Sequence, residues 1–303
     1  MIKPSTILIL PACLMLAACG GGGGGGALGP VAFTNFAAIP KPGQVQFTGS
    51  SVEGDFTTNS AALVTGVANQ QGGSVNVVAT YDAAGGQTAG AITGARSSLN
   101  FSSSDPTYNL GNVGLPGGKL VTSADGKTAA AFANPTDLGN NYQNFGVWET
   151  GVNAGPGRVG AASVGAATPA ASVPTTGTAN FSGNVVGVHI DSSGNNYVTA
   201  SNVALAANFG ARTVGLTTSN TQKYNLNTRS VYNLSASNLN LSGALTYAAG
   251  SNSFSGSVQT ASGLTGTASG SFYGPAATEV GGTFSTKAAT GVENFMGAFG
   301  AKR

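Results

Sequence analysis

The chain has 303 residues, 48 of them glycine, with 7% charged residues, 41% hydrophobic residues and a formal charge of +2. Twelve Lys and Arg are spread against ten Asp and Glu with no basic cluster, which excludes a surface built to neutralise nucleic-acid phosphates. Ser, Thr, Asn, Ala and Gly stand where charge would be, and these residues suit turns and solvated strand faces rather than helix surfaces.

The chain opens with Lys3 and a mostly apolar run from Ile7 to Leu16, followed by Leu16-Ala17-Ala18-Cys19. The run is too short to span a bilayer and ends in small residues, so it is an export signal. The four closing residues resemble a bacterial lipobox, which implies cleavage before Cys19 and diacylglyceryl and acyl attachment there, with palmitate as the expected acyl chain; an ordinary secretory cut is the alternative. Gly20 to Gly26 follow as a run without side chains, a tether reaching about 15 Å by the statistics of glycine-rich chains. Removal of residues 1–18 takes away Lys3 alone, leaving 11 basic and 10 acidic residues. Attraction to anionic lipid is then negligible, and acyl chains must supply the anchoring. Both cysteines, Cys13 and Cys19, lie in this leader, so the body has neither a disulfide nor a cysteine zinc site.

Beyond Pro30 short runs alternate with a period of two, and strands are predicted throughout. In a first block Val75, Val77, Ala79 and Tyr81 share one parity, as do Leu99 and Phe101. Gly151 to Pro174 is rich in Gly, Ala, Thr and Pro and is expected to be a mostly irregular joint. In a second block one parity is carried by Phe181, Val185 and Gly187, then by Val203, Leu205 and Phe209, then by Leu239 to Tyr247. Three further runs follow, around Phe254 to Val258, Leu264 to Phe272 and Val280 to Phe284. Small residues recur on the inward parity, as expected where strands bend in a small barrel. A transmembrane barrel fits poorly, because the delimited strands carry too little apolar side chain for a lipid belt and no aromatic girdles.

At residues 271–285 the sequence SFYGPAATEVGGTFS resembles the closing hairpin of the transferrin-binding protein B family barrel. YQNFGVW at 142–148 is similar to the end of that family's preceding subdomain, TPAASVPTTGTANFSGNVVG at 168–187 to the entry into its barrel, and GAFGAKR at 297–303 to its ending. The resemblance spans residues 140–303. It implies an all-β protein: an antiparallel β handle subdomain over 30–168 and an eight-stranded antiparallel β-barrel over 169–303, after a signal peptide at 1–18 and an acylated tether at 19–29. It also implies a lipoprotein held at the bacterial outer membrane and cell surface that binds a host protein or a haem or iron source and passes it to an outer-membrane transporter. The chain has room for one such lobe, and no residue matches a known transferrin-contacting site. The alternative is a structural or adhesive envelope lipoprotein that uses the barrel without iron-related cargo.

Residue by residue, chemistry is sparse and no enzyme is expected. Tyr142, Phe145 and Trp148, the last being the single tryptophan, form the densest aromatic cluster and are the candidate ligand-binding residues, with packing between handle and barrel as the competing role. His189 lies two residues before Asp191, without a second histidine or a nucleophile motif, and is expected to be a strand-end histidine beside a turn aspartate. Glu279 is expected to accept hydrogen bonds from turn amides, and Tyr273-Gly274-Pro275 to be a turn. Glu53 and Asp55, two apart on a strand, are expected on a solvated face. Gly111-Asn112-Val113-Gly114 lacks the lysine and helix of a phosphate loop. No cofactor, catalytic residue or metal ligand is assigned, haem enters only as cargo, and Cys19 is the lipidation site.

Overall fold

The computed structural model describes residues 35–303 apart from 40, 85–86, 153–154 and 226–229. The signal segment, Cys19 and the glycine run lie outside the described residues.

The first nine strands are β1 (Gly43–Thr58), β2 (Val64–Tyr81), β3 (Gln87–Thr93), β4 (Ser98–Ser102), β5 (Thr107–Asn109), β6 (Lys119–Thr122), β7 (Thr128–Phe132), β8 (Gln143–Thr150) and β9 (Gly157–Gly165). They form one antiparallel sheet in the order β4-β3-β2-β1-β9-β8-β7-β6-β5, the expected handle. The chain starts at the middle of the sheet and meanders to one edge. It then crosses to the other edge and meanders back until β9 closes against β1.

The strand β9 corrects the irregular joint expected over 151–174. Val159 to Val164 are all buried, so both faces are covered and the period-two pattern by which a half-exposed strand is read disappears. A single turn of helix, α1 (Pro135–Leu138), precedes β8. Asn134 caps it by accepting from the Thr136 amide at 3.1 Å, proline stands at its first position, and Gly139 ends it at φ +67°.

The second unit comprises β10 (Thr178–Ile190), β11 (Asn196–Asn208), β12 (Thr213–Asn225), β13 (Ser230–Ser235), β14 (Leu241–Thr246), β15 (Ser253–Thr260), β16 (Thr265–Tyr273), β17 (Glu279–Lys287) and β18 (Asn294–Lys302). Pairing of β10 with both β11 and β18, and of β12 with both β11 and β14, closes an eight-stranded antiparallel barrel. The short β13 adds to the upper half of β12. Closure leaves the eight barrel strands without an open edge, a useful property for a chain with so few charges to guard one.

The expected inward parity is the observed one. Phe181, Val185, Val203, Leu205, Leu245, Phe254, Val258, Phe272 and Phe284 fill the barrel together with Phe295 and Phe299. Phe272 is the hub, with ring centroids at 5.4 Å from Tyr247 and Phe254, 5.7 Å from Phe209 and 6.5 Å from Phe181.

The glycine content has a structural cause. Phe254 lies directly across from Gly270, Phe299 from Gly282 and Phe284 from Gly297 in the barrel, and Trp148 lies across from Gly160, Phe132 from Gly146 and Phe56 from Gly157 in the handle. In all six pairs a Cβ on the glycine would come within 2.6 Å of the ring. Each ring therefore lies over a bare backbone, an arrangement that fits large side chains into tightly curved sheet. Gly297→Val is expected to lower stability by about 1–3 kcal/mol through overpacking against Phe284 and the Val186 carbonyl, measured as a shift in urea midpoint.

The barrel wall that faces solvent is polar. Asn208, Thr213, Thr246, Ser255 and Ser269 are successive cross-strand neighbours and all are exposed. A lipid-facing wall requires an apolar band, and this one carries hydroxyls and amides.

Candidate functional site

The handle lies on the outer wall of the barrel along β10, β11 and β18, and this seam has an apolar core of its own. Phe145, Val147, Val159 and Ala161 of the handle meet Val186, Val188, Val198, Met296 and Ala298 of the barrel. Two glycines set the closeness of approach. Gly281 and Gly300 face each other across β17 and β18; a Cβ at Gly300 would lie 2.3 Å from Gln143 Nε2 and 2.5 Å from the Phe145 ring, and one at Gly281 would lie 2.6 Å from Ser163 Oγ.

Polar bonds fasten the same seam. Glu279, at the start of β17, is buried, and its carboxylate accepts from the amides of Asn141 at 2.5 Å, Tyr142 at 3.0 Å and Gln143 at 3.1 Å. The expectation that Glu279 bonds turn amides is thus corrected in one respect: the amides belong to the lead-in of β8, on the other subdomain. Burial pushes its pKa up, against the pull of the three amides and of Lys302 directly across the ladder. The Lys302 ammonium in turn donates to the Gly139 carbonyl at the end of α1, at 3.1 Å. Tyr273 places its hydroxyl 3.1 Å from Ser163 Oγ, and burial pushes that phenol up to about 12. Thr168 donates to the Gly274 carbonyl at 2.7 Å, and Asn252 donates to the Thr168 carbonyl at 2.7 Å. Gly274 adopts φ +73° ahead of the turn Pro275–Ala277, as its sequence predicts.

The aromatic cluster proposed from sequence for ligand contact falls here, and the geometry assigns it to packing. Phe145 is fully buried in the seam, and Trp148 is fully buried on the opposite face of β8 with Phe47, Ile92, Leu99, Ala162 and Val164. Neither can touch a ligand while the sheet is intact, because both faces of β8 are covered. Tyr142 is half-buried, its ring against Gly274. An aromatic cluster in a Gly-rich chain marks a surface or a core equally well from sequence. Only the docking of the barrel separates the two.

Glu53 and Asp55 are also displaced from expectation. Glu53 is 1% exposed and accepts from Ser97 Oγ at 3.1 Å and from the Arg96 amide at 3.4 Å. Asp55 bonds Arg158 Nε at 2.8 Å, Asn69 at 3.0 Å and Arg96 through its guanidinium. The arginines are 41 and 103 residues away from Asp55 in sequence, which is why a strand-local reading placed these carboxylates in water. The hydrogen bonds from Asn69, Arg96 and Arg158 hold the Asp55 carboxyl below its usual range against desolvation.

His189 is buried inside the barrel end. Its Nε2 lies 3.2 Å from Glu293 Oε1, its ring stacks on Tyr197 at 6.0 Å, and Phe295 meets it edge-on at 6.1 Å. Asp191 forms the following turn, accepting from the Ser193 and Asn195 amides at 2.9 Å and from the Tyr197 hydroxyl at 3.2 Å. Desolvation depresses the His189 pKa and outweighs the opposing pull of Glu293 and Asp191, with Lys223 adding to the depression. Among the described residues no group of three His, Cys, Asp or Glu is placed to hold a metal ion.

A handle sheet is thus seated on a closed eight-stranded barrel and fastened to it by a β17 glutamate. Residues 173–303 match the family model of the C-lobe and N-lobe beta barrels of Tf-binding protein B. The match takes in every strand of the barrel. A transferrin binding protein B mutant from Haemophilus parasuis is 13% identical over 87% of this chain and 77% of that one, with a TM-score of 0.42. The intact Ap-TbpB with its N and C lobes is 14% identical over the same shares, with a TM-score of 0.42. The isotype 1 transferrin binding protein B of serogroup B Neisseria meningitidis is 12% identical over 87% and 77%, with a TM-score of 0.34. No curated protein matches the chain. The barrel is filled by aromatic rings, so its interior is a core, and its outer surface and loops are what it presents to other molecules.

Proposed function

We propose that the protein is a lipid-anchored binding protein of the outer-membrane surface, acylated at Cys19, which captures a host protein or a haem or iron source for uptake. The observation that carries this reading is the family match of the whole barrel, joined to a handle sheet that seats it. The aromatic filling of the barrel favours cargo held on the outer surface and loops, hence a protein carrier over haem taken into the barrel. In this reading the captured cargo passes to an outer-membrane transporter.

The test is recovery of partners by the lipidated full chain, in detergent, from serum and from haemolysate, with an absorbance scan of the same sample. A specific carrier protein or a Soret band is expected. Recovery of neither overturns capture. Labelled palmitate should enter the wild-type chain and not Cys19→Ala.

The uncharged solvent wall of the barrel supports a second reading, a structural or adhesive envelope lipoprotein without iron-related cargo. Loss of growth on deletion that is confined to iron limitation would eliminate it.

A further inference from the structure

Among the described residues of the seam, one carboxyl group has no counter-charge. Glu149 lies on β8 with Phe145 and Val147, on the face turned to the barrel, and is 2% exposed. Its neighbours across the ladder are Ala129 on β7 and Val159 on β9. Leu120 of β6, Val188 of β10 and Val198 of β11 line the small cavity beside it. Its sole polar partner is barrel residue Asn196, whose side-chain amide donates to Oε1; Oε2 has no partner among the described residues. No charged or titratable side chain from β6, β7, β9, β10 or β11 faces it among the described residues. A carboxylate held this way lacks both the cation and the second donor that would offset its desolvation, whereas the neutral acid requires only the Asn196 bond.

We propose that Glu149 is a proton-operated fastening between handle and barrel, uncharged when the two are seated and loosening the seam when it ionises. Burial pushes its pKa from 4.5 up to about 8. The sign follows from linkage. A carboxyl whose folded pKa is raised favours folding below its unfolded value, and that advantage is lost as pH rises through the folded one, here between about 4.5 and about 8. At ten-fold per unit, the folding constant falls roughly 10³-fold across that interval.

Trp148, the single tryptophan, immediately precedes Glu149 on β8 and borders the same cavity, with its ring on the opposite face of the strand, so its emission reports on the handle side of the seam. The full chain is titrated from about pH 6 to about pH 9.5, with Trp148 emission and the urea midpoint recorded at each step. Emission is expected to shift in one transition centred near pH 8, while the urea midpoint falls as pH rises to about 8 and levels off above it, and Glu149→Gln, which keeps the volume and cannot ionise, should abolish both. A flat emission and midpoint across the range, or the same transition in Glu149→Gln, would overturn the proposal. Hydrogen exchange on the unaltered chain gives a readout independent of the variant's folding: amides of β8 and β11 should lose protection together over this interval, and unchanged protection there refutes the fastening.

Discussion

Glu279→Ala is expected to destabilise the protein by about 3–5 kcal/mol and to uncouple the handle from the barrel. Three consecutive amides, of Asn141, Tyr142 and Gln143, converge on this one carboxylate, and they lead directly into β8. Truncation leaves three donors without their acceptor beside a seam packed with Phe145 and Met296, where each unsatisfied group costs about 1–3 kcal/mol unless water enters. It also removes the charge opposite Lys302, whose bond to the Gly139 carbonyl then fixes the end of α1 alone. Glu279→Gln keeps the shape and one acceptor oxygen, so about half of the loss is expected. Urea unfolding followed separately by Trp148 emission, which reports on the handle, and by far-ultraviolet ellipticity should split into two transitions in Glu279→Ala. A single transition within about 1 kcal/mol of wild type would show that the apolar seam alone holds the two together.

Phe272→Ala is expected to cost about 3–5 kcal/mol, by removing the ring on which four others converge. Phe181, Phe209, Tyr247 and Phe254 come from β10, the β11–β12 turn, the end of β14 and β15, so the void touches strands around the barrel and cannot be closed by moving one of them. The transfer and cavity contributions therefore both remain. Phe272→Leu retains most of the volume, and about 1–1.5 kcal/mol is expected. The two variants are compared by urea midpoint, and an alanine variant no worse than the leucine one would mean that the barrel end collapses freely.

How much was legible depended on whether a strand had one wet face. In the barrel, Phe181, Val203, Leu205, Leu245, Phe254 and Phe272 alternate with exposed Ser, Thr, Asn and Ala, and their parity, direction and burial could all be read in order. β18 reads as NFMGAFGA because Phe295 and Phe299 point into the barrel while Met296 and Ala298 point into the handle. With both faces apolar, periodicity has nothing to contrast. β12 lacks a clear alternation for the opposite reason: its upper inward positions, Thr218 and Thr221, are polar, bonding the Leu241 amide and Asn240 inside the barrel end.

The candidate site divides in the same way. Residue composition places Glu279 beside a turn as a hydrogen-bond acceptor and His189 at a strand end, because those positions depend on neighbours close in sequence, while their partners, the amides of 141–143 and Glu293, lie 104 to 138 residues away. Glu53, Asp55, Glu149 and Trp148 take their roles from partners 41 to 103 residues away or from the opposing subdomain, and no local pattern carries that information.

By itself, the sequence determined that this chain is built of strands and that small residues recur where strands bend, and its resemblance to the Tf-binding-protein barrel implied that the second half closes. Alternation and turn chemistry are properties of neighbouring residues, and they survive without a third dimension. The tertiary structure decided which glycines lie beneath aromatic rings, which face of β8 meets the barrel, and that one glutamate is clasped by three amides while another is left without a counter-charge. Those outcomes depend on desolvation at the seam, and a side chain's solvent is set by the surface that docks against it.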